Sequence, residues 1–126
     1  MDDLTSNAVS AYFDAISQLD ADAWRVLFTE DCETRDPADS RPWQGIAGIE
    51  KFFARMTGMM ESVSLTPEEI VVRGDGAAAS WRGWARTKDG KEASYHGINF
   101  FETDGAGKIR RVTAFWHPEE MMRQLA

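Results

Sequence analysis

"AAASWRGWARTKDGKEASYHGINFFET", residues 77–103, decides the fold. Two runs of alternating character flank Asp89–Gly90, a dipeptide that favours a tight two-residue hairpin loop. With those two residues as the loop, Lys88 faces Lys91, Trp84 faces Tyr95, Arg82 faces Gly97 and Ser80 faces Asn99. Opposed residues share a face, and so do alternate residues along a strand. One face then carries Ser80, Arg82, Trp84, Arg86, Tyr95, Gly97, Asn99 and Phe101. The other carries Trp81, Gly83, Ala85, His96, Ile98 and Phe100. One of these faces has to meet helices, the other solvent or a partner.

Glycine-containing turns at residues 74–76 and 104–107 continue the pattern on both sides, from "EEIVVR" before it to "KIRRVTAFW" after it. The second half therefore reads as an antiparallel meander. The first half reads as helix. Val9, Tyr12, Phe13, Ile16 and Leu19 recur at three- and four-residue steps and make one apolar stripe. Asp20 or Asp22 caps a short second helix carrying Trp24, Leu27 and Phe28. A third helix follows Gly45 with Ile46, Ile49, Phe52, Phe53 and Met56 on one side, and Gly58 ends it. A short strand precedes that helix. The sum is α+β, one domain over residues 1–126, with three N-terminal helices packed on one face of a curved, mostly antiparallel sheet.

The 126 residues are enough to bury a real core. A net charge of −7 argues against nucleic acid or an anionic membrane as partner. No run approaches the roughly 18 apolar residues of a membrane-spanning helix. The acidic start, MDDLTSNAVS, lacks the features of a signal peptide. One cysteine, Cys32, allows no internal disulfide, and a reducing cytoplasm is the expectation. His96 and His117 lie far apart, and no cluster of acids or cysteines has metal-ligand spacing. No metal is expected.

In "CETRDPADSRPWQG", residues 32–45, alternation puts Cys32, Thr34 and Asp36 on one face. Cysteine is among the most buried residue types, so Asp36 is expected to point inward with it. Pro37 biases Asp36 towards extended backbone. A carboxylate in a partly dry pocket has a raised pKa and is suited to accept a proton. The plainer reading of each residue stands beside this one. Asp36 also fits a turn, Tyr12 a core tyrosine, and Asn99 a structural polar residue on the sheet.

"AYFDAISQLDADAWRVLFTEDCETRDPADSRPWQGIAGIEKFF" followed by "INFFETDGAGKIRRVTAFW" resembles the ketosteroid isomerase branch of the NTF2-like (SnoaL-like) superfamily. The resemblance implies a cone-shaped fold and a proton-shuttling enzyme with no cofactor. It implies Asp36 as base, with Tyr12 and Asn99 holding the enolate oxygen. The family's third position is a protonated aspartic acid. Here it is Asn99, whose amide donates without first holding a proton. An acid is the stronger donor, so Asn99→Asp is expected to raise the rate.

The resemblance also brings Trp116 to the pocket wall, and Trp43, in the loop after Asp36, is placed either to close the mouth or to staple the loop. On the third helix Phe52, Phe53 and Met56 read as core, with Phe53 carried as a candidate substrate contact. Arg82, Arg86 and Trp84 share the face of Asn99 in the register above. The two guanidiniums suggest an anionic or oxygen-rich ligand or an ion pair inside the cone, the plainer reading being arginines at the rim with their heads in water. The apolar outer group Trp81, Ile98, Phe100 and Phe115 suggests a homodimer through the sheet. The expected partner is a hydrophobic or polycyclic small molecule. The alternatives are a SnoaL-like polyketide cyclase and a non-catalytic ligand-binding dimer.

Overall fold

In the computed structural model, which describes residues 2–126, the chain begins with helices α1 (Asp2–Ser17) and α2 (Ala21–Arg25). Strands β1 (Phe28–Arg35) and β2 (Trp43–Gln44) lead into α3 (Gly45–Thr57). Then come β3 (Met60–Arg73), β4 (Gly76–Thr87), β5 (Glu92–Thr103), β6 (Ile109–Trp116) and a final helix, α4 (Pro118–Leu125). The six strands form one open sheet in the order β2-β1-β6-β5-β4-β3. Only β1 and β6 run parallel among these neighbours. The α+β expectation holds, and the architecture matches an NTF2-like cone.

The helices form where the apolar stripes lie. Val9, Tyr12, Phe13 and Ile16 of α1 are each at most 2% exposed and pack towards the sheet. Leu19 leaves the helix with φ +55°, and Asp20 caps α2 by accepting from the Ala23 amide at 3.0 Å. Phe28 was expected on that second helix. It opens β1 instead, buried against Trp24 at a ring distance of 4.8 Å. Ser17 Oγ both accepts from and donates to the backbone of Leu65, which ties the end of α1 to β3.

The central hairpin corrects the register. Its loop is three residues long, Lys88 to Gly90. The Thr87 amide donates to the Lys91 carbonyl at 2.8 Å and the Gly90 amide to the Thr87 carbonyl at 2.9 Å. Gly90 takes φ +88°, the left-handed step that closes a three-residue loop. Asn99 therefore pairs with Ala79, Gly97 with Trp81, Tyr95 with Gly83 and His96 with Arg82. A slip of one residue turns all of β4 over. Trp81, expected outside, is buried at 4% exposure on the inner face.

Arg82, Trp84 and Arg86, placed by the expected register on the face of Asn99, lie on the opposite, outer face. Arg82 pairs with Glu68 at 2.9 Å, Arg86 pairs with Glu61 at 3.3 Å, and the Trp84 indole donates to Glu92 at 3.0 Å.

Three further elements go beyond the sequence expectation: β2, the full length of β3, and α4. The last carries the ordinary signals of a short helix: Pro118 in the first turn, Glu119 and Glu120 beside it, and Arg123 in the last turn. Gln124 docks α4 on the sheet, accepting from the Ser94 amide at 2.9 Å and donating to the Ser94 carbonyl at 2.8 Å. Among the described residues, no helix is long and apolar enough to cross a membrane.

Candidate functional site

Between the concave sheet face and the helices lies a cavity of about 290 Å³. Its walls are aromatic: Trp43, Phe52, Trp81, Tyr95 and Trp116. Five of the six methionines, Met56, Met59, Met60, Met121 and Met122, line it as well. Their flexible thioethers give an apolar lining that adapts to ligand shape. Asp36, Tyr12 and Asn99 open onto this same space, and Arg55 lies at its edge.

Asp36 comes from the end of β1. Cys32 and Thr34 are buried at 1% and 0% exposure, and the strand alternation carries Asp36 to the same side. The Asp36–Pro37 peptide bond is cis. Parallel pairing of Arg35 with Thr113 sets the end of β6 beside the carboxylate. There Trp116 Nε1 donates to Asp36 Oδ1 at 2.6 Å. Burial pushes the Asp36 pKa up to about 6, and the Trp116 hydrogen bond pulls it the other way. Removing a charge from water is the larger effect.

Tyr12 is 1% exposed, with its ring against Trp24 at 4.9 Å and Phe101 at 5.0 Å. Burial holds its phenol well above the usual tyrosine range. The Asp36 charge adds to that, and hydrogen bonding from the Asn99 side chain opposes it. Asn99 is 2% exposed, and its Oδ1 accepts from Trp81 Nε1 at 2.9 Å. Tyr95 stands nearby with its phenol pushed up to about 12, by burial first and the Asp36 charge second.

Two glycines make room for these rings. A Cβ on Gly97 would meet Trp81 Cζ2 at 2.6 Å and Trp116 Cβ at 2.7 Å. One on Gly83 would meet Tyr95 Cε2 at 2.3 Å. Trp81, Tyr95 and Trp116 pack on one another with ring centroids 5.3 to 6.0 Å apart.

Of the residues singled out from sequence, Asp36, Tyr12, Asn99, Trp116 and Trp43 are brought together at the cavity. Arg82 and Trp84 are not, because the register places them outside. Phe53 is a core residue, 4% exposed and 5.2 Å from the Trp24 ring, while its neighbour Phe52 takes the cavity wall beside Trp43. Trp81, Tyr95 and the α4 residues Met121, Met122 and Leu125 were missed. The signal for Trp81 was present in the chain: Ala77, Ala79, Trp81, Gly83 and Ala85 alternate with Ser80, Arg82 and Arg86.

His96 sits on the outer face opposite Arg82, and His117 lies exposed, 3.0 Å from Glu119. Among the described residues, no group of three or more His, Cys, Asp or Glu side chains is placed to hold a metal ion. The arrangement sets one carboxylate and the polar ends of Tyr12, Tyr95 and Asn99 around a largely apolar space. Such a set can accept a proton from carbon and hold the charge that appears on a neighbouring oxygen.

Comparison with known proteins agrees with the fold. The profile described as "SnoaL-like domain" matches residues 9–112. No curated protein sequence matches the chain. Among solved structures, a putative SnoaL-like polyketide cyclase from Shewanella denitrificans OS-217 superposes with a TM-score of 0.84 at 13% identity, over 96% of each chain. The epoxide hydrolase/cyclase-like enzyme SalBIII, described in pyran ring formation in the polyether salinomycin, gives 0.82 at 20% identity over 92% of each chain. A protein of ketosteroid isomerase-like fold from Catenulispora acidiphila DSM 44928, in complex with trimethylamine, gives 0.81 at 20% identity. That match covers 93% of this chain and 90% of the other. At these identities the likeness is one of fold.

Proposed function

The chain belongs to the SnoaL-like domain family, and on that footing we propose that it is an isomerase-type enzyme that moves a proton on a hydrophobic, enolisable ketone. The observation that carries this reading is the shared cavity. The Asp36 carboxylate, Tyr12 and Asn99 all line one apolar space of about 290 Å³.

Asp36 takes the proton from the carbon between the carbonyl and a β,γ double bond. The electron pair moves onto the carbonyl oxygen, and the Tyr12 hydroxyl and the Asn99 amide hydrogen-bond the enolate. Asp36 then returns the same proton at the γ carbon, and the product is the conjugated enone. Atoms and oxidation level are unchanged, so the step calls for no redox partner. A carboxylate with a pKa near 6 suits both halves, because it accepts and releases a proton near neutrality.

The cyclases among the structural neighbours favour a second reading, in which the same base forms an enolate that closes a ring. The outward placement of Arg82 and Arg86 removes the sequence argument for an oxygen-rich ligand, and the aromatic walls suit a ketone of low polarity.

A β,γ-unsaturated ketosteroid mixed with the protein separates these readings. The expected result is a rise in conjugated enone absorbance that Asp36→Asn slows by at least about a hundredfold. No rise with wild-type protein would sink the isomerase reading.

The proposal includes a second copy of the chain as partner. Ile98, Phe100 and Phe115 stand on the outer sheet face at 47%, 50% and 50% exposure, with the two phenylalanine rings 5.6 Å apart. Such a patch supports a homodimer. Sedimentation of wild type and Phe100→Lys tests it, with a dimer expected only for the first.

A further inference from the structure

We propose that Trp81 is the positioning residue of the oxyanion site: its indole N–H decides which end of the Asn99 carboxamide faces the ligand. The proposal rests on the reading of Tyr12 and Asn99 as the groups that hold the enolate oxygen.

The oxygen and nitrogen of a carboxamide are almost the same size, so packing alone does not choose between the two orientations. Chemically they are opposite. An N–H aimed at an enolate oxygen stabilises it, and a carbonyl oxygen in that place repels it. At 2% exposure, Asn99 has no water shell to make the choice. Trp81 makes it. An indole N–H only donates, so the partner 2.9 Å away has to be Oδ1. Nδ2 is then the end that faces Tyr12 and the ligand. Flipping the amide would set N–H against N–H and leave both donors unpaired in a buried place, which is costly.

Trp81 is itself held still. It is 4% exposed, packs edge-on to Tyr95 and Trp116, and passes over Gly97, where any Cβ would collide with its ring. Residue 99 thus receives its orientation from a strand neighbour fixed on three sides.

The arrangement also explains why an amide suits this position. A carboxyl here has to keep its proton in order to donate. The Trp81 N–H stabilises the ionised form of any carboxyl opposite it. Burial, the Asp36 charge across the cavity and the phenols of Tyr12 and Tyr95 act on the same position, and Arg55 is the one cation lining the cavity among the described residues. With Trp81 present, an acid at 99 loses its proton at lower pH than it otherwise would. An amide has no proton to lose. The expectation that Asn99→Asp raises the rate therefore gives way to one that depends on Trp81.

Trp81→Phe tests this, because it keeps an aromatic ring and removes the donor, and the Asn99→Ala background below separates that loss from the loss of ring volume. In wild type the two Asn99 side-chain amide protons are expected as sharp, separate NMR signals. In Trp81→Phe they shift and broaden as the amide loses its fixed orientation, and unchanged signals overturn the proposal. This readout uses no ligand, so it stands apart from the isomerase reading, which falls if wild type makes no enone.

With activity as readout, Trp81→Phe lowers kcat about tenfold, a part of the roughly 10²–10³ for a whole oxyanion donor, with KM little changed. In an Asn99→Ala background the same change has no further effect. Equal losses in both backgrounds would make Trp81 a packing residue. In an Asn99→Asp background, Trp81→Phe moves the alkaline limb of the pH profile up by about one unit, and an unmoved limb overturns the proposal.

Where Trp81→Phe does not fold, hydrogen exchange at the Trp81 indole decides. It is expected to speed up at least about tenfold in Asn99→Ala, and an unchanged rate overturns the proposal.

Discussion

Trp116 Nε1 lies 2.6 Å from Asp36 Oδ1, a hydrogen bond between the last residue of β6 and the residue just past β1. It stabilises the ionised carboxylate, while burial opposes ionisation and leaves the pKa near 6. Trp116→Phe removes the stabilising partner and keeps a smaller aromatic ring in its place. A hydrogen bond to a charged group is worth about 1.5–3 kcal/mol, so the pKa rises by about one unit or more. The acid limb of kcat/KM against pH, expected near 6 in wild type, moves up by that amount. A limb that stays in place would separate Asp36 from the rate.

Asp36→Asn is expected to trade activity for stability. The carboxyl has an ordinary value of 3.8 and a folded value of about 6. Between these the folded state holds more protons than the unfolded chain, so stability falls as pH rises through that window and stays lower above it. Removing the ionisable group lifts the penalty. At pH 7 the variant should gain about 1–3 kcal/mol in urea unfolding, and below the lower value the two proteins should coincide.

Gly97→Ala disturbs both indoles at once. The added methyl meets Trp81 and Trp116 side-chain atoms at 2.6 and 2.7 Å and the Phe115 carbonyl oxygen at 2.7 Å. Overpacking of this kind costs about 1–3 kcal/mol. The variant should lose stability in thermal or urea unfolding and also lose isomerase rate, since the partners of Asp36 and Asn99 both have to move.

Arg82→Leu is expected to leave kcat, KM and their salt dependence unchanged. The guanidinium lies on the outer face, paired with Glu68 at 2.9 Å. Steady-state kinetics at low and high salt check it, and a salt-dependent loss of substrate binding would return Arg82 to the site.

Much of the fold was legible because burial imposes a period. The stripe from Val9 to Ile16 and the run from Ile46 to Met56 state their helices outright. Alternation from Cys32 to Asp36 delivered the carboxylate to the correct side. The miss came at the Asp89–Gly90 turn. A dipeptide that favours a two-residue loop sits here in a three-residue one, with Thr87 Oγ1 accepting from the Lys91 amide at 3.0 Å. Loop length is a local matter, yet it sets the parity of a whole strand. The alternation of β4 carried the correct answer: small and apolar residues at 77, 79, 81, 83 and 85, charges at 82 and 86. The Trp81–Asn99 bond was not legible, because it joins residues on two strands whose pairing had to be known first. The eight residues of α4 were missed because so short a segment shows little periodicity.

The docking of α4 through Gln124 has a consequence for how such a protein is modified. Asp36, Tyr12 and Asn99 come from β1, α1 and β5, whereas Met121, Met122 and Leu125 come from one terminal octapeptide. One part of the cavity lining is thus carried by a stretch of chain apart from the proposed reactive groups. Exchanging that C-terminal segment offers a handle on which molecules are admitted, with the reactive groups left untouched.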